Sequence, residues 1–334
     1  MIIKYNDKYL DNIKDAFLNG ELVIFPTETV YGIGANALNK VAVDSIFVAK
    51  GRANDNPLIV HLADKSDIEK YAIISNDIER KLIDYFMPGP FTLILKKRDI
   101  IPSNVSAGLD TVGIRIPRNT MAHKILEYVN LPIAAPSANI SGKPSGTQIN
   151  DIEKEFKNKV KYIIDGSESE IGLESTVVKI IDNIPVILRP GYITKEDIIS
   201  VVGECKLSDN LFKSNIVGPI ESPGMKYKHY APSSKTLMIY SSNINDLKEV
   251  VRENITSKTI IIGSDVLSHI KCYKFINYGN SLKQISHNIF HLLRMADKDN
   301  PDLIIIEGVK REGLGLAIMN RLIRACSYNY IEKD

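Results

Sequence analysis

Short apolar runs, cut by glycine and proline, dominate the first two hundred residues. They are LVIFP at 22–26, PLIVHL at 57–62, FTLILK at 91–96, TVGIRIP at 111–117, PIAAPS at 132–137, KYIIDG at 161–166, STVVKII at 175–181 and PVILRP at 185–190. Many are β-branched and bounded by Gly or Pro, so each predicts a strand. The opening MIIKYNDKYLDNIKDAFLNG predicts a short strand and a polar helix. In VAVDSIFVAK, residues Val43, Ile46, Phe47 and Lys50 share one helical face, and Gly51 follows as a C-cap. AHKILEYV at 122–129 predicts another helix. Strands outnumber helices, and several are separated by turns too short for a crossover helix. A twisted mixed sheet with flanking helices fits this better than a purely parallel one.

The pattern changes after residue 205. Residues 206–232, KLSDNLFKSNIVGPIESPGMKYKHYAP, show little periodicity and read as a long connection. From residue 235 the chain alternates strand-like and helix-like segments: TLMIYS, NDLKEVVRENI, KTIIIGS, YKFINYG, SLKQISHNIFHLLRMAD, PDLIIIEGV and LAIMNRLIRACS. That alternation predicts a small Rossmann-like α/β domain with a parallel sheet. The expected organisation is a larger α/β domain over 1–205, a linker over 206–232 and a smaller α/β domain over 233–334.

With 44% hydrophobic and 25% charged residues, the 334-residue chain has a globular composition. Its formal net charge of +2 argues against a wide nucleic-acid face, though not against a local basic pocket. No apolar run is long enough to span a bilayer and no signal peptide is evident. Cys205, Cys272 and Cys326 are far apart and not in metal spacing, which predicts reduced thiols in a cytoplasmic protein.

Two short motifs carry the candidate chemistry. Lys50-Gly51-Arg52 ends a helix and leads into the polar loop Asn54-Asp55-Asn56-Pro57. A point-charge lysine and a forked arginine are complementary phosphate binders, while a solvated helix end would place the same residues there. Ser137-Ala138-Asn139 opens a run of hydroxyls, glycines and prolines springing from an apolar strand. A rigid scaffold presents site residues in that way, and an ordinary surface loop has the same composition. Pro26-Thr27-Glu28-Thr29 follows a strand, and an extended backbone puts Thr27 and Thr29 on one side. Arg115 alternates with Ile114 and Ile116, so it points away from them. Buried there, it needs an anionic partner: a ligand carboxylate or an internal Asp or Glu. His61 fits either a structural or a site imidazole. His287 and His291 stand four apart on a helix without H-E-x-x-H or a third ligand, and read as surface or packing residues. The sequence has no Walker loop, no G-x-G-x-x-G and no G-x-S-x-G.

Taken together, FPTETVYGIGANA, AKGRANDNPLIVH, MPGPFTLIL, SAGLDTVGIRIP, PIAAPSANISGKPSGT, GLESTVV and ILRPGYIT resemble the YrdC-like family of threonylcarbamoyl-AMP synthases. SPGMKYKHYAP and GLGLAIMNRLIRACS resemble its two-domain form. The resemblance covers nearly the whole chain in the family's order. It implies that L-threonine, bicarbonate and ATP, with magnesium, give threonylcarbamoyl-adenylate and pyrophosphate. A separate transferase complex would then carry the group to the adenosine beside the tRNA anticodon, with little direct tRNA binding by this chain. The resemblance puts Lys50, Arg52, Asn56, Thr111, Ser137, Asn139, Ser145, Arg189 and Tyr230 at ATP. It assigns Lys50 and Arg52 to charge stabilisation, without a covalent nucleophile or a protein-held metal. Thr29, His61, Arg115 and Ser175 would surround threonine, and Tyr227 and Tyr230 would lie over the site as a lid. Ala53, Met87 and Gly146 depart from the family's usual Pro, Trp and Pro. The first and last departures imply slightly looser loops. An RNA-binding module and an adenylating enzyme for another amine are the competing readings.

Overall fold

The computed structural model describes residues 1–166, 168–214, 221–223 and 229–333. A mixed twelve-stranded sheet organises the first two hundred residues. Its path runs Ile2–Lys4, Tyr162–Asp165, Val23–Phe25, Gly32–Asn36, Ile133–Ala134, Ile59–His61, Thr111–Arg115, Phe91–Lys97, Thr176–Ile181, Ile184–Arg189 and Lys206–Leu207. Ala72–Ile73 pairs with Phe91–Lys97 off that path.

Strand periodicity divides the core. Val23 and Phe25 pack with Ile13, Phe17 and Ile125 from the helices Leu10–Leu18 and Thr120–Val129. Ile24 and Ile33 pack on the opposite face with Val43, Ile46 and Phe47 of the helix Lys40–Lys50. Consecutive strand side chains point to opposite faces, so one strand serves both layers. Asn39 caps the helix Lys40–Lys50 through its side chain, and Gly51 ends it at φ +59°. That left-handed conformation suits glycine.

The strand runs read from the sequence all contain strands, and the helices at 40–50 and 120–129 form as expected. The strand Gly32–Asn36 was not among the runs read from the sequence. Its glycines have no side chains to carry a period-two pattern. The first sheet also runs on to Lys206–Leu207, inside the stretch read as a connection.

The second sheet is parallel throughout, in the order Lys274–Asn277, Thr259–Gly263, Leu303–Glu307, Thr236–Ser241 and Tyr330–Lys333. The helix Ile244–Glu253 covers one face. The helices Leu282–Lys298 and Leu314–Ala325 cover the other, and this core continues into Val30, Ile171 and Leu173 of the first domain. The two domains therefore share apolar packing directly above the first sheet. Within the described residues no helix is long and apolar enough to cross a membrane. The three cysteines are unpaired.

Candidate active site

His61 and Arg115 are register partners on two parallel strands, both at the carboxyl ends. Ligands in α/β sheets gather at such ends. The segment after Val23–Phe25 folds back over them. Tyr31 accepts from the Ala138 amide at 2.7 Å, and the Ile33 amide donates to Pro136 at 2.9 Å. These bonds clip the Thr27–Tyr31 turn to the Ser137 loop. The Thr27 and Thr29 hydroxyls lie 2.9 Å apart, but through a bend and not the extended backbone expected: the Thr27 hydroxyl donates to the Val30 carbonyl at 2.6 Å and accepts from the Val30 amide, closing the turn.

A partly open cavity of about 40 Å³ lies between these elements. Thr29, Arg52, His61, Arg115, Ser137, Ser175, Arg189 and Tyr230 line it. Eight of the residues singled out from the sequence thus converge on one place, from segments far apart in the chain.

Five do not reach the cavity. Lys50 is buried, and its Nζ donates to the carbonyls of Ser137 and, at 2.7 Å, Asn139. Burial, then the neighbouring Arg52, lower this ammonium well below its usual range. Its ammonium holds the Ser137 loop from behind. The Asn139 amide is likewise spent on the loop, donating to Ile140 at 2.9 Å and Lys143 at 3.0 Å. Asn56 offers its backbone carbonyl to Arg52 at 3.2 Å. Thr111 stands at the far end of its strand, donating to Glu221 at 3.0 Å. The Ser145 hydroxyl donates to Glu174. Tyr227 lies outside the described residues.

Arg52 is held by the Asn56 and Pro57 carbonyls, with Pro57 at 3.1 Å. Burial holds it down to about 10. Arg189 binds the Ser175 carbonyl through Nε at 3.1 Å and Nη2 at 3.0 Å, and Pro223 through Nη1 at 3.2 Å. Ser175 also meets the Thr92 hydroxyl at 2.8 Å. Burial and the nearby Arg115 push the His61 imidazole down to about 3, so it is uncharged at neutral pH. Among the described residues, the buried Nε atoms of Arg52 and Arg115 have no hydrogen-bond partner.

The anionic partner of Arg115 is internal: its Nη2 donates to Glu28 at 2.7 Å, and both side chains are buried. Burial raises Glu28, but Arg115 overrides it and the carboxyl stays below its usual range. A second acid, Glu174, lines the cavity itself. It accepts from Arg321 of the C-terminal domain at 2.8 Å. Neither acid was singled out in the sequence, although Glu28 sits between the two threonines and Glu174 directly precedes Ser175. Arg321 carried no sequence signal, because its helix looks simply amphipathic.

Tyr230 adopts φ +64° and stacks on Phe290 at 5.0 Å. His229 beside it also lines the cavity. The Gly146 carbonyl accepts from the Tyr31 amide at 3.1 Å, and a Cβ at this position would stand 2.4 Å from the Ala138 oxygen. His287 lies 3.1 Å from the Glu170 carbonyl, packing the second domain on the first.

Comparison with known proteins gives this site a family. Residues 15–191 match the family described as telomere recombination (Sua5_yciO_yrdC), and residues 193–327 match the threonylcarbamoyl-AMP synthase C-terminal domain. The threonylcarbamoyl-AMP synthase of Pyrococcus abyssi is 42% identical over 319 residues, covering 94% of this chain and 92% of that protein. The Bacillus subtilis protein of the same name is 40% identical over 332 residues, covering 96% and 93%. The crystal structure of P. abyssi Sua5 complexed with L-threonine superposes with a TM-score of 0.93 at 39% identity, over 99% of this chain and 98% of that one. The chain belongs to the Sua5/YciO/YrdC family, in the form that carries the threonylcarbamoyl-AMP synthase C-terminal domain.

Proposed function

We propose that the chain is an L-threonylcarbamoyladenylate synthase, joining L-threonine, bicarbonate or CO2 and ATP into threonylcarbamoyl-AMP and releasing pyrophosphate. One observation carries the reading: three guanidiniums, Arg52, Arg115 and Arg189, meet the hydroxyls of Thr29, Ser137 and Ser175 in one cavity. That set suits a substrate with phosphates at one end and an amino-acid carboxylate at the other. The names of the relatives and the threonine in the P. abyssi structure support the same assignment.

The chemistry asks for alignment. Threonine's amine takes up CO2 as a carbamate, a carbamate oxygen attacks the α-phosphorus, and pyrophosphate leaves. Both reacting groups belong to substrates, so the protein's part is to hold them in line and oppose growing negative charge. Arg52 and Arg189 face the phosphates in this reading. Arg115, oriented by Glu28, faces the threonine carboxylate. Uncharged His61 adds no competing cation. Lys50 supports the Ser137 loop from behind. Magnesium brought in with ATP would supply charge neutralisation on the phosphate oxygens. The cavity carboxylate Glu174 and Glu28 behind Arg115 are each committed to an arginine, so the protein groups that could face magnesium there would be hydroxyls and carbonyls. His229 and Tyr230 form one wall and shield the adenylate from water. The product then supplies a separate transferase complex that modifies the adenosine beside the tRNA anticodon, in the cytoplasm.

Pyrophosphate release from ATP and bicarbonate, with and without threonine, tests this. Threonine-dependent release is expected. Release without threonine, or none at all, would sink the reading, and dependence on another amine would favour a different adenylation.

A further inference from the structure

Arg321 is the largest fully buried side chain of the described residues, and it comes from the C-terminal domain's helix Leu314–Ala325. Its Nε donates to Glu174 at 2.8 Å, and its Nη1 donates to Asn320 at 2.9 Å. Asn320 in turn donates to the Leu211 carbonyl at 2.7 Å. The guanidinium also lies 5.6 Å from the centre of the Tyr230 ring. Glu174 is the cavity carboxylate that neighbours Ser175, whose carbonyl holds Arg189. A buried carboxylate takes whatever cation is near. Left alone, Glu174 would draw on Arg189, which lines the same cavity.

We propose that Arg321 is a positioning residue for the nucleotide. By neutralising Glu174 from the second domain, it leaves Arg189 available to an anionic ligand. The inference rests on the synthase reading for the identity of that ligand. The electrostatics agree: burial raises Glu174, but Arg321 first and Arg189 second bring it down to about 2. The C-terminal domain thereby sets the charge balance of a cavity built almost wholly by the first.

Calorimetric titration of the full chain with magnesium-ATP and, separately, with threonine tests this. Arg321→Met keeps the stem and removes the charge. It is expected to weaken ATP binding about tenfold or more, with threonine affinity changed less than about threefold. Arg321→Met combined with Glu174→Gln removes both charges and is expected to recover ATP affinity to within about threefold of the parent. Unchanged ATP affinity in the single variant, or equal loss of both ligands with no recovery in the double variant, overturns the proposal. Should the single variant not fold, the double variant decides: near-parental ATP affinity supports the proposal, and equal loss of both ligands overturns it. Threonine-dependent pyrophosphate release by the parent chain reads the synthase assignment separately.

Discussion

Two buried arginine–glutamate pairs flank the cavity, and they differ in origin. Arg115 and Glu28 both belong to the first domain and meet at 2.7 Å. Glu174 belongs to the first domain and Arg321 to the second, and they meet at 2.8 Å. Each pair trades desolvation for attraction and hydrogen bonding, so neither is a large net source of stability. Their value lies in what they orient. The first pair holds a guanidinium on the sheet itself, so it forms whenever that domain folds. The second exists only when the domains dock, which makes half of the cavity's charge balance conditional on the C-terminal domain.

The largest effect should come from breaking the internal pair. Arg115→Ala leaves Glu28 buried and unpaired, which is expected to cost about 3–5 kcal/mol of stability in urea denaturation. In whatever fraction folds, threonine affinity should fall more than ATP affinity. Equal losses would make Arg115 purely structural.

Removing the second domain should tell the pairs apart. A chain ending near residue 220 is expected to fold, because the first sheet and its helices are complete by Lys206–Leu207. Threonine-dependent pyrophosphate release should be strongly impaired, since the cation facing Glu174 is gone. Full activity would show that the second pair and the wall above it are dispensable.

Acid should sharpen the contrast. His61 and His229 are held at about 3 by burial, below the ordinary 6.5. Between those values the unfolded chain binds protons that the folded chain refuses, so stability falls as pH falls from 6.5 towards 3. The slope is about 1.4 kcal/mol per pH unit for each histidine. Glu174, lowered from 4.5 to about 2, adds stability that is present above 4.5 and lost as pH falls towards 2. Urea midpoints across this range check both windows. His61→Asn should remove about one histidine's share of the slope, and an unchanged slope would mean that His61 is not buried neutral.

The smallest effect belongs to a third arginine–glutamate pair. Arg118 and Glu170 meet at 3.1 Å but are 51% and 67% exposed. Arg118→Ala is expected to change stability by less than about 1 kcal/mol. A larger loss, read by the same urea titration, would show that exposure does not separate this pair from the buried two.

Much of this protein was determined by local sequence. The strands and helices follow from period-two and helical patterns, and from the glycines and prolines that end them. Gly51 closes its helix as its position implied. The motif set also identified the family, because many short matches in a fixed order outweigh the weakness of each. What the tertiary structure alone decided is which polar groups face one another. Lys50 and Arg52 stand two residues apart, yet a helix end turns one onto the Ser137 and Asn139 carbonyls and the other to the cavity wall. Glu28, Glu174 and Arg321 lie inside the motifs that carry the resemblance, yet nothing in those motifs says which charge each one meets. The partner of a buried charge is chosen by distance in space and by desolvation, and neither is written in the spacing of residues along the chain.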